Sequence, residues 1–217
     1  ELGKRTPDGR VHSGVWNMQL YDSLISGNGY KIRLLLSMLG RAYDRIEVDI
    51  LKGESRTPDY LTLNPNGRIP LLVLDDGRAL AESNAILYYL ANGAPCFPAD
   101  PFAQAAVLQW MCFEQYSHEP YIAVARFWLE HLEMTPEREA ALAEKKVQGY
   151  KALDVMEGHL SDRDWFVDDS MSIADIALYA YTHVADEGGF DLAPYPAIRA
   201  WLGRIASAPG YCPITQA

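Results

Sequence analysis

One continuous stretch, residues 64–90 (NPNGRIPLLVLDDGRALAESNAILYYL), constrains the fold more than any other part of the sequence. Two short apolar runs flank Asp75-Asp76-Gly77, and Asp-Gly between apolar runs predicts a β-hairpin. The hairpin leads directly into a segment of helical apolar periodicity, for which Ser83 is the predicted N-cap. Such a helix N-terminus offers free backbone N–H groups and a hydroxyl, so this corner is a candidate carboxylate site.

Pro70 stands at the start of the first hairpin strand. Because proline has no backbone N–H, it cannot donate to a sheet ladder and belongs at an edge. A cis bond between Ile69 and Pro70 would turn the chain there and expose the backbone N–H and C=O of Ile69. An extended peptide can pair with such groups by strand addition. Two interpretations stay open from these residues alone: a plain hairpin capped by a helix, or a binding edge for a small, acidic, peptide-like ligand.

The composition limits the classes of partner. The chain has 217 residues, enough for one or two domains with a sizeable core, and 49% of them are hydrophobic and 22% charged, as in an ordinary globular protein. Its net charge of −10 argues against nucleic acid or an anionic membrane surface as a partner. No apolar run approaches the roughly 20 residues that a membrane-spanning helix needs.

The cysteines and histidines give no sign of a disulfide framework or a metal site. Cys96, Cys112 and Cys212 are far apart and form no Cys-x-x-Cys motif, which is typical of a reducing cytoplasm, and we expect their thiols to be buried. The five histidines show no metal-ligand spacing. We interpret His118, beside Glu119, as a surface or hydrogen-bonded helix residue, and the sequence predicts no metal.

The order of predicted elements divides the chain. Residues 1–17 are polar and lack the apolar core of a signal peptide, so we interpret them as an N-terminal extension or a remnant of cloning. Residues 18–91 predict the order βαβαββα. The predicted strands are Met18–Asp22, Arg45–Ile50, Leu71–Leu74 and Arg78–Ala81, and the predicted helices are Tyr30–Leu39, Pro58–Leu63 and a third from Ser83.

Beyond a proline-rich linker at residues 92–101, the sequence predicts only helices in residues 102–217. The predicted helices cover residues 102–132 with an interruption at Pro120, 136–160, 173–181 and 197–206. Ser172 and Asp175 have the spacing of a capping box. The predicted fold is therefore a small α/β domain followed by an all-helical domain.

From Met18 onward the chain resembles the cytosolic glutathione S-transferases, in particular bacterial, serine-type members of the theta, delta and beta kind. The motifs that carry the resemblance are Leu20-Tyr21 with a Ser/Gly loop and Lys31-Ile32-Arg33, then Asn64–Pro70, then Glu82–Ile86, and finally Ser172–Asp175. Ser-x-x-Asp alone is only a helix cap, but four motifs in this order are specific. The resemblance implies a thioredoxin-like domain plus a helical bundle, a cytoplasmic homodimer and a role in detoxification.

The resemblance also implies that glutathione binds as a co-substrate. The backbone of Ile69, before the cis-proline Pro70, would pair with its cysteinyl part. Glu82 and Ser83 would hold the amine and carboxylate of its γ-glutamyl part. A basic residue would meet its glycyl carboxylate; the candidates are Lys52 and Arg68.

The activity that the resemblance implies is activation of the glutathione thiol. A free thiol with a pKa of about 8.5 is only about 3% thiolate at pH 7. Lowering that pKa by two units gives roughly 75% thiolate and corresponds to about 2.7 kcal/mol. One hydrogen bond from a hydroxyl, together with helix N–H groups, can supply this stabilisation. The donor is expected after the first strand, at the N-terminal end of the helix predicted from Tyr30.

Ser26 is the expected donor, because it occupies the serine position of the resembling classes. Their tyrosine position falls on Asp22, so Tyr21, one residue away in a strand, should point to the opposite face. The cysteine position of the beta class falls on Gly27, which makes mixed-disulfide chemistry through a protein cysteine unexpected. The other candidate donors in this loop are the amide of Asn28 and the hydroxyl of Ser23.

The second substrate is expected between the domains, against the helix predicted from Phe102. The candidate pocket residues are Trp110, Phe113, Tyr116, Tyr121 and Arg126. An aromatic stripe at helical spacing is also typical of a core, and Cys112 in this segment is expected to be packed. The sequence thus predicts a transferase that conjugates glutathione to an apolar electrophile. The alternatives are a glutathione-dependent disulfide reductase or peroxidase on the same site, and a non-catalytic interaction module with this fold.

Overall fold

A computed structural model describes residues 18–216 of the chain, and the predicted extension at residues 1–17 lies outside the described residues. The N-terminal domain has the predicted order βαβαββα. Its elements are β1 (Gln19–Asp22), α1 (Gly27–Met38), β2 (Asp44–Glu47), α2 (Pro58–Leu63), β3 (Leu71–Val73), β4 (Ala79–Ala81) and α3 (Ser83–Ala91). The sheet order is β2-β1-β3-β4, with β1 parallel to β2 and antiparallel to β3, and β3 antiparallel to β4. The Asp-Gly hairpin between β3 and β4 is thereby confirmed.

Two predicted helix starts in this domain are wrong. α1 begins at Gly27 rather than Tyr30, because the Ser26 hydroxyl accepts the backbone N–H of Gly29 and caps the helix. α3 begins at Ser83, so Ser83 is its first helical residue and not its N-cap. Glu82 holds the N-cap position with a φ of 71°, and no cap hydrogen bond from its side chain is formed within residues 18–216. The Ser83 hydroxyl instead bonds to side chains of α1.

The second domain is helical, as predicted. Its helices are α4 (Pro101–Phe113), α5 (Glu119–His131), α6 (Pro136–Leu160), α7 (Ile173–Thr182) and α8 (Pro196–Ala206). The predicted interruption at Pro120 is displaced: the irregular segment is a π-helical turn at Glu114–His118, between α4 and α5. Pro120 lies in the first turn of α5, directly after the π-helical turn, and has no N–H to donate to that turn.

Helix α1 joins the two domains because it packs against both α3 and α7. Its buried face includes Tyr30, whose hydroxyl donates to the backbone carbonyl of Cys212 at 2.7 Å. The apolar side chains of α1, α3 and α7 belong to one continuous buried cluster that also contains Trp201 of α8. The N-terminal end of α1 is therefore fixed between the sheet and the helical domain, which positions the site described next.

The exposure of the thiols and of His118 tests the smaller predictions. Cys96 and Cys212 are buried as predicted, but Cys112 is exposed. The prediction for Cys112 fails because it faces a surface groove between α3 and α4 rather than the core. His118 is a buried helix residue whose Nε2 lies 2.9 Å from the Thr182 hydroxyl, and burial lowers its pKa to about 3.

None of the helices within residues 18–216 is both long and apolar enough to cross a bilayer. In the same part of the chain, no three side chains of His, Cys, Asp or Glu are grouped so that they could hold a metal ion.

Candidate active site

A cleft of about 590 Å³ opens between the N-terminal domain and α5, within the size range of small-molecule sites. It brings together all the residues predicted to bind glutathione except Lys52. These are Ser26, Asn28, Arg68, Ile69, Pro70, Glu82 and Ser83. The carboxylate corner and the proline edge, inferred separately from the sequence, thus border the same cavity.

The N-terminal end of α1 forms one wall of this cleft. The Ser26 Oγ accepts the Gly29 N–H at 3.1 Å, and the first turn of α1 holds no acidic residue. The hydroxyl proton of Ser26 has no acceptor among residues 18–216. The positive end of the helix dipole and an unused hydroxyl donor therefore face the cleft, an arrangement that suits an anion.

Asp22 holds the loop that carries Ser26. Its carboxylate accepts the Ser23 N–H at 2.7 Å and Arg33 Nε at 2.8 Å, and Arg33 also donates to the Leu24 carbonyl at 3.1 Å. Burial raises the pKa of Asp22 to about 6, although the Arg33 guanidinium acts in the opposite direction. Gly29 is required beside it, since a Cβ there would lie 1.5 Å from Asp22 Oδ1.

The other two hydroxyls near Ser26, those of Tyr21 and Ser23, do not line the cleft. Tyr21 is on the opposite face of β1 from Asp22, with its ring 6.1 Å from and edge-on to that of Tyr60. Ser23 is buried and does not line the cleft. Of the loop hydroxyls considered from the sequence, the structure brings only Ser26 to the cavity.

The edge at Pro70 has the predicted geometry. The Ile69–Pro70 bond is cis. Two side chains fix the backbone just before this bond: Tyr60 Oη and Asn64 Nδ2 both donate to the Arg68 carbonyl, at 2.7 and 2.8 Å. Within the described residues, no backbone hydrogen bond uses the N–H or C=O of Ile69. These two groups are available to an extended ligand in the cleft.

Asn28 and Ser83 connect α1 to α3 across the floor of the cleft. The Ser83 hydroxyl donates to Asn28 Oδ1 at 3.0 Å, and Asn28 Nδ2 donates to Glu119 Oε1 at 2.8 Å. The side chain of Asn28 is thereby held from both sides. Its amide keeps only one further N–H for a ligand, so its predicted auxiliary role is a limited one.

A buried charge network beneath this floor was missed by the sequence analysis. Lys31 is fully buried, and its Nζ lies 2.9 Å from Glu114, 3.7 Å from Glu119 and 3.4 Å from the Ser83 hydroxyl. Burial raises the pKa of Glu114, while Lys31 opposes that shift. Lys31 belongs to a motif that the sequence singled out, but its partners stand on the π-helical turn and α5, far along the chain.

The basic residues of the cleft are Arg56 and Arg68, and not Lys52. Lys52 is exposed, and its ammonium lies 2.9 Å from Asp49. Arg56 is the last residue of a short 3₁₀ turn, and its side chain crosses Gly67, where a Cβ would lie 2.8 Å from Arg56 Nη1. Arg56, four positions beyond Lys52, is thus a basic residue of this loop that lines the cleft.

Helix α5 supplies an apolar wall of the cleft. Four apolar residues of this helix line the cleft: Ala123, Val124, Phe127 and Trp128. The sequence did not single them out. A π-helical turn changes the face that the following residues present, so spacing counted from α4 does not identify the cleft face of α5.

The residues predicted for the second-substrate pocket lie outside the cleft. The ring of Trp110 packs at 4.6 Å from Phe166 and beside Phe113, and Tyr116 is 83% exposed in the groove between α3 and α4. Tyr121 packs against Lys145. Arg126 donates to the Ile25 carbonyl at 2.8 Å and pairs with Glu187, so it supports the loop before Ser26.

The four-stranded mixed sheet followed by a helical domain, with the cleft between them, is the glutathione S-transferase fold. Residues 17–92 match the family described as "Glutathione S-transferase, N-terminal domain", and residues 108–209 match "Glutathione S-transferase, C-terminal domain". The chain belongs to the glutathione S-transferase family.

Solved structures and known sequences are consistent with this family membership. A glutathione S-transferase from Pseudomonas fluorescens Pf-5 is 52% identical, with a TM-score of 0.90 over 92% of this chain and 99% of that one. "Disulfide-bond oxidoreductase YfcG" of Escherichia coli K12 is 32% identical over 189 residues, which are 84% of this chain and 87% of the relative. "Ure2p in Complex with Glutathione" is 26% identical, with a TM-score of 0.81 over 92% of both chains. The chain spans 65% of "Protein URE2" of Candida glabrata, at 29% identity.

Proposed function

We propose that this protein is a glutathione transferase that holds the glutathione thiol as thiolate beside Ser26 and conjugates it to an apolar electrophile. The observation that carries the proposal is the position of Ser26. It caps α1 inside the cleft, and among residues 18–216 nothing accepts its hydroxyl proton. The apolar residues of α5 line the same cavity.

Glutathione lies along the edge before Pro70 in this proposal. Its cysteinyl backbone pairs with the free N–H and C=O of Ile69 by strand addition. Its γ-glutamyl amine meets the Glu82 carboxylate, and its γ-glutamyl carboxylate meets the N-terminal N–H groups of α3 at Ser83. Its glycyl carboxylate points to the basic end of the cleft, where Arg56 joins Arg68 as a candidate partner.

The sulfur then lies at the N-terminal end of α1. The Ser26 hydroxyl donates a hydrogen bond to it, and the helix dipole favours its negative charge. The thiol proton leaves to solvent, the thiolate forms a carbon–sulfur bond with the electrophile, and the leaving group departs with the bonding electron pair. Lowering the pKa of the thiol is the contribution of the protein to this step.

The electrophile is placed against α5. Val124, Phe127 and Trp128 present an apolar, partly aromatic surface, which suits an apolar compound with a planar ring. In this assignment these residues of α5 take the place of the pocket expected along the helix from Phe102, whose five candidate residues lie outside the cleft.

A second candidate function is glutathione-dependent disulfide reduction on the same site. It is supported by the similarity to the relative called "Disulfide-bond oxidoreductase YfcG". No cysteine of the protein is needed, because one glutathione thiolate attacks the disulfide and a second resolves the mixed disulfide. Turnover of a halonitroarene compared with turnover of a mixed glutathione disulfide separates the two activities.

The first experiment is retention on immobilised glutathione, followed by titration of the thiolate absorbance of bound glutathione. The proposal expects retention, and a titration midpoint well below the pKa of the free thiol. Failure to be retained would favour the alternative of a non-catalytic interaction module.

The proposal includes a cytoplasmic homodimer that acts in detoxification. A groove of about 620 Å³ between α3 and α4 is almost entirely apolar, and its lining includes Tyr88, Tyr89, Leu108 and Tyr116. A second copy of the chain is the proposed occupant, since exposed apolar surface of this kind is typical of protein contacts. Leu108→Glu should convert a dimer into a monomer in analytical ultracentrifugation, and a wild-type monomer would contradict the proposal.

A further inference from the structure

Tyr181 stands on α7, in the helical domain, and its hydroxyl reaches the N-terminal end of α1. The backbone N–H of Asn28 donates to Tyr181 Oη at 3.1 Å. Tyr181 lines the same cleft as Ser26. The two hydroxyls are arranged alike, because the Ser26 Oγ accepts the next N–H of the same turn, that of Gly29, also at 3.1 Å.

The proton of the Tyr181 hydroxyl is unused in the described part of the chain, where no carbonyl, carboxylate or side-chain oxygen accepts it. The residue is only 7% exposed, and a buried donor without an acceptor is costly. Burial, with Glu119 and Glu114 nearby, raises the pKa of Tyr181, so the phenol stays protonated and remains a donor. A ligand atom in the cleft is the available acceptor.

Gly27 fixes the direction of the tyrosine ring. A Cβ at position 27 would lie 2.4 Å from the Tyr181 ring, so the ring can pack against the backbone of α1 only because this residue is glycine. Lys31, one turn further along α1, places its Nζ 5.8 Å from the ring centroid. The hydroxyl is therefore held between the two domains at the first turn of α1.

We propose that Tyr181 donates a second hydrogen bond to the glutathione sulfur, so that the thiolate lies between one hydroxyl from each domain. The inference rests on the proposed function, because it needs glutathione in the cleft with its sulfur at the end of α1. It adds a donor from the helical domain to the one expected from Ser26. Position 27 is then glycine so that the tyrosine can approach.

The test is the pH titration of thiolate absorbance in the binary complex with glutathione, without an electrophile. Tyr181→Phe keeps the ring against Gly27 and removes only the hydroxyl. Because a hydrogen bond to a charged group is lost, the titration midpoint should rise by about 1 pH unit. Tyr179→Phe is the matched control: it lies on the same helix, but its hydroxyl donates to that of Tyr211 at 3.1 Å, and its midpoint should equal that of the wild type.

Replacement of Tyr181 by a fluorinated tyrosine keeps the hydroxyl in place as an acceptor for the Asn28 N–H. Since fluorination makes the phenol a stronger donor, the midpoint should fall below that of the wild type. If the role of the hydroxyl were purely structural, the titration midpoint would be the same as in the wild type. This variant also decides the matter if Tyr181→Phe does not fold.

Three outcomes are distinct. A wild-type midpoint equal to that of free glutathione would contradict the proposed function itself. A lowered wild-type midpoint that neither Tyr181 variant moves would overturn the inference and leave the function standing. Slower turnover of Tyr181→Phe with an unmoved midpoint would also overturn it, because the hydroxyl would then act on the second substrate rather than on the sulfur.

Discussion

Ser26 and Ser172 are both helix N-caps, but their surroundings differ. Each caps its helix with its side-chain oxygen, Ser26 for α1 and Ser172 for α7. The Ser172 hydroxyl is buried and donates to Asp175 at 2.9 Å, which completes the capping box. Ser26 borders a cleft, and its proton has no acceptor among residues 18–216. A cap closed within the protein contributes stability, whereas an open cap leaves a donor for a ligand.

The largest expected effect concerns the closed cap. The Asp175 carboxylate accepts Ser172 N–H and Oγ–H, Phe166 N–H and Trp201 Nε1–H, at 2.8 to 3.2 Å. Asp175→Ala leaves these buried donors unpaired, so the free energy of unfolding should fall by about 4 kcal/mol in urea denaturation. Ser26→Ala, at the open cap, should lower it by only about 1 kcal/mol. Equal losses of unfolding free energy in the two variants would contradict this difference between the closed and the open cap.

The next largest effect is a pH dependence of stability that comes from Asp22, the residue that holds the loop carrying Ser26. The pKa of Asp22 is raised by burial from 3.8 to about 6 in the folded protein, which therefore binds more protons than the unfolded chain in that range. The contribution of Asp22 to the free energy of unfolding is then present below about pH 4 and is lost as the pH rises to about 6, a change of about 3 kcal/mol.

Asp22→Asn tests this directly, because asparagine does not titrate. The free energy of unfolding of the wild type minus that of the variant should fall as the pH rises from about 4 to about 6, because only the wild type loses the contribution of Asp22. Urea denaturation at a series of pH values measures this difference. Its change with pH is the relevant quantity rather than its value at one pH, since the variant also weakens the contact with Arg33. A constant difference across this range would show that the buried carboxyl keeps its ordinary pKa.

The smallest effect concerns a third helix start, at α3. Glu82 is exposed and does not cap its helix within the described chain, so its carboxylate is open to a ligand, as the Ser26 hydroxyl is. Glu82→Gln keeps the size of the side chain and removes the charge that should meet the glutathione amine. We expect about 10-fold weaker binding of glutathione by calorimetry, with unchanged stability, because one charge-assisted hydrogen bond is weakened. Unchanged affinity would place the amine elsewhere.

The sequence predicted the features that local rules govern. The Asp-Gly hairpin and the capping box of α7 each depend on a few neighbouring residues, whereas the cis bond before Pro70 was expected from the family resemblance. The start of α1 was missed because Gly27 and Gly29 disfavour a helix. They are present for close contacts with Tyr181 and Asp22, which the sequence does not reveal.

The parts of the site that the sequence missed join distant segments. The partners of Lys31 lie on the π-helical turn and α5, and the cleft wall on α5 depends on the same turn. The sequence did not single out Arg56 as a cleft residue, because a short 3₁₀ turn brings its side chain there. Such contacts are set by tertiary packing, and neither periodicity nor residue spacing encodes them.

The central claim is that the open cap at Ser26 holds the glutathione sulfur as thiolate. The most direct measurement is the pH titration of thiolate absorbance in the complexes of wild type, Ser26→Ala, Ser172→Ala and Ser23→Ala with glutathione. We expect a wild-type midpoint about two units below the free thiol pKa of about 8.5, and a rise of about 1 to 2 units in Ser26→Ala alone. A midpoint that stays in place in Ser26→Ala but rises in Ser23→Ala would contradict the claim.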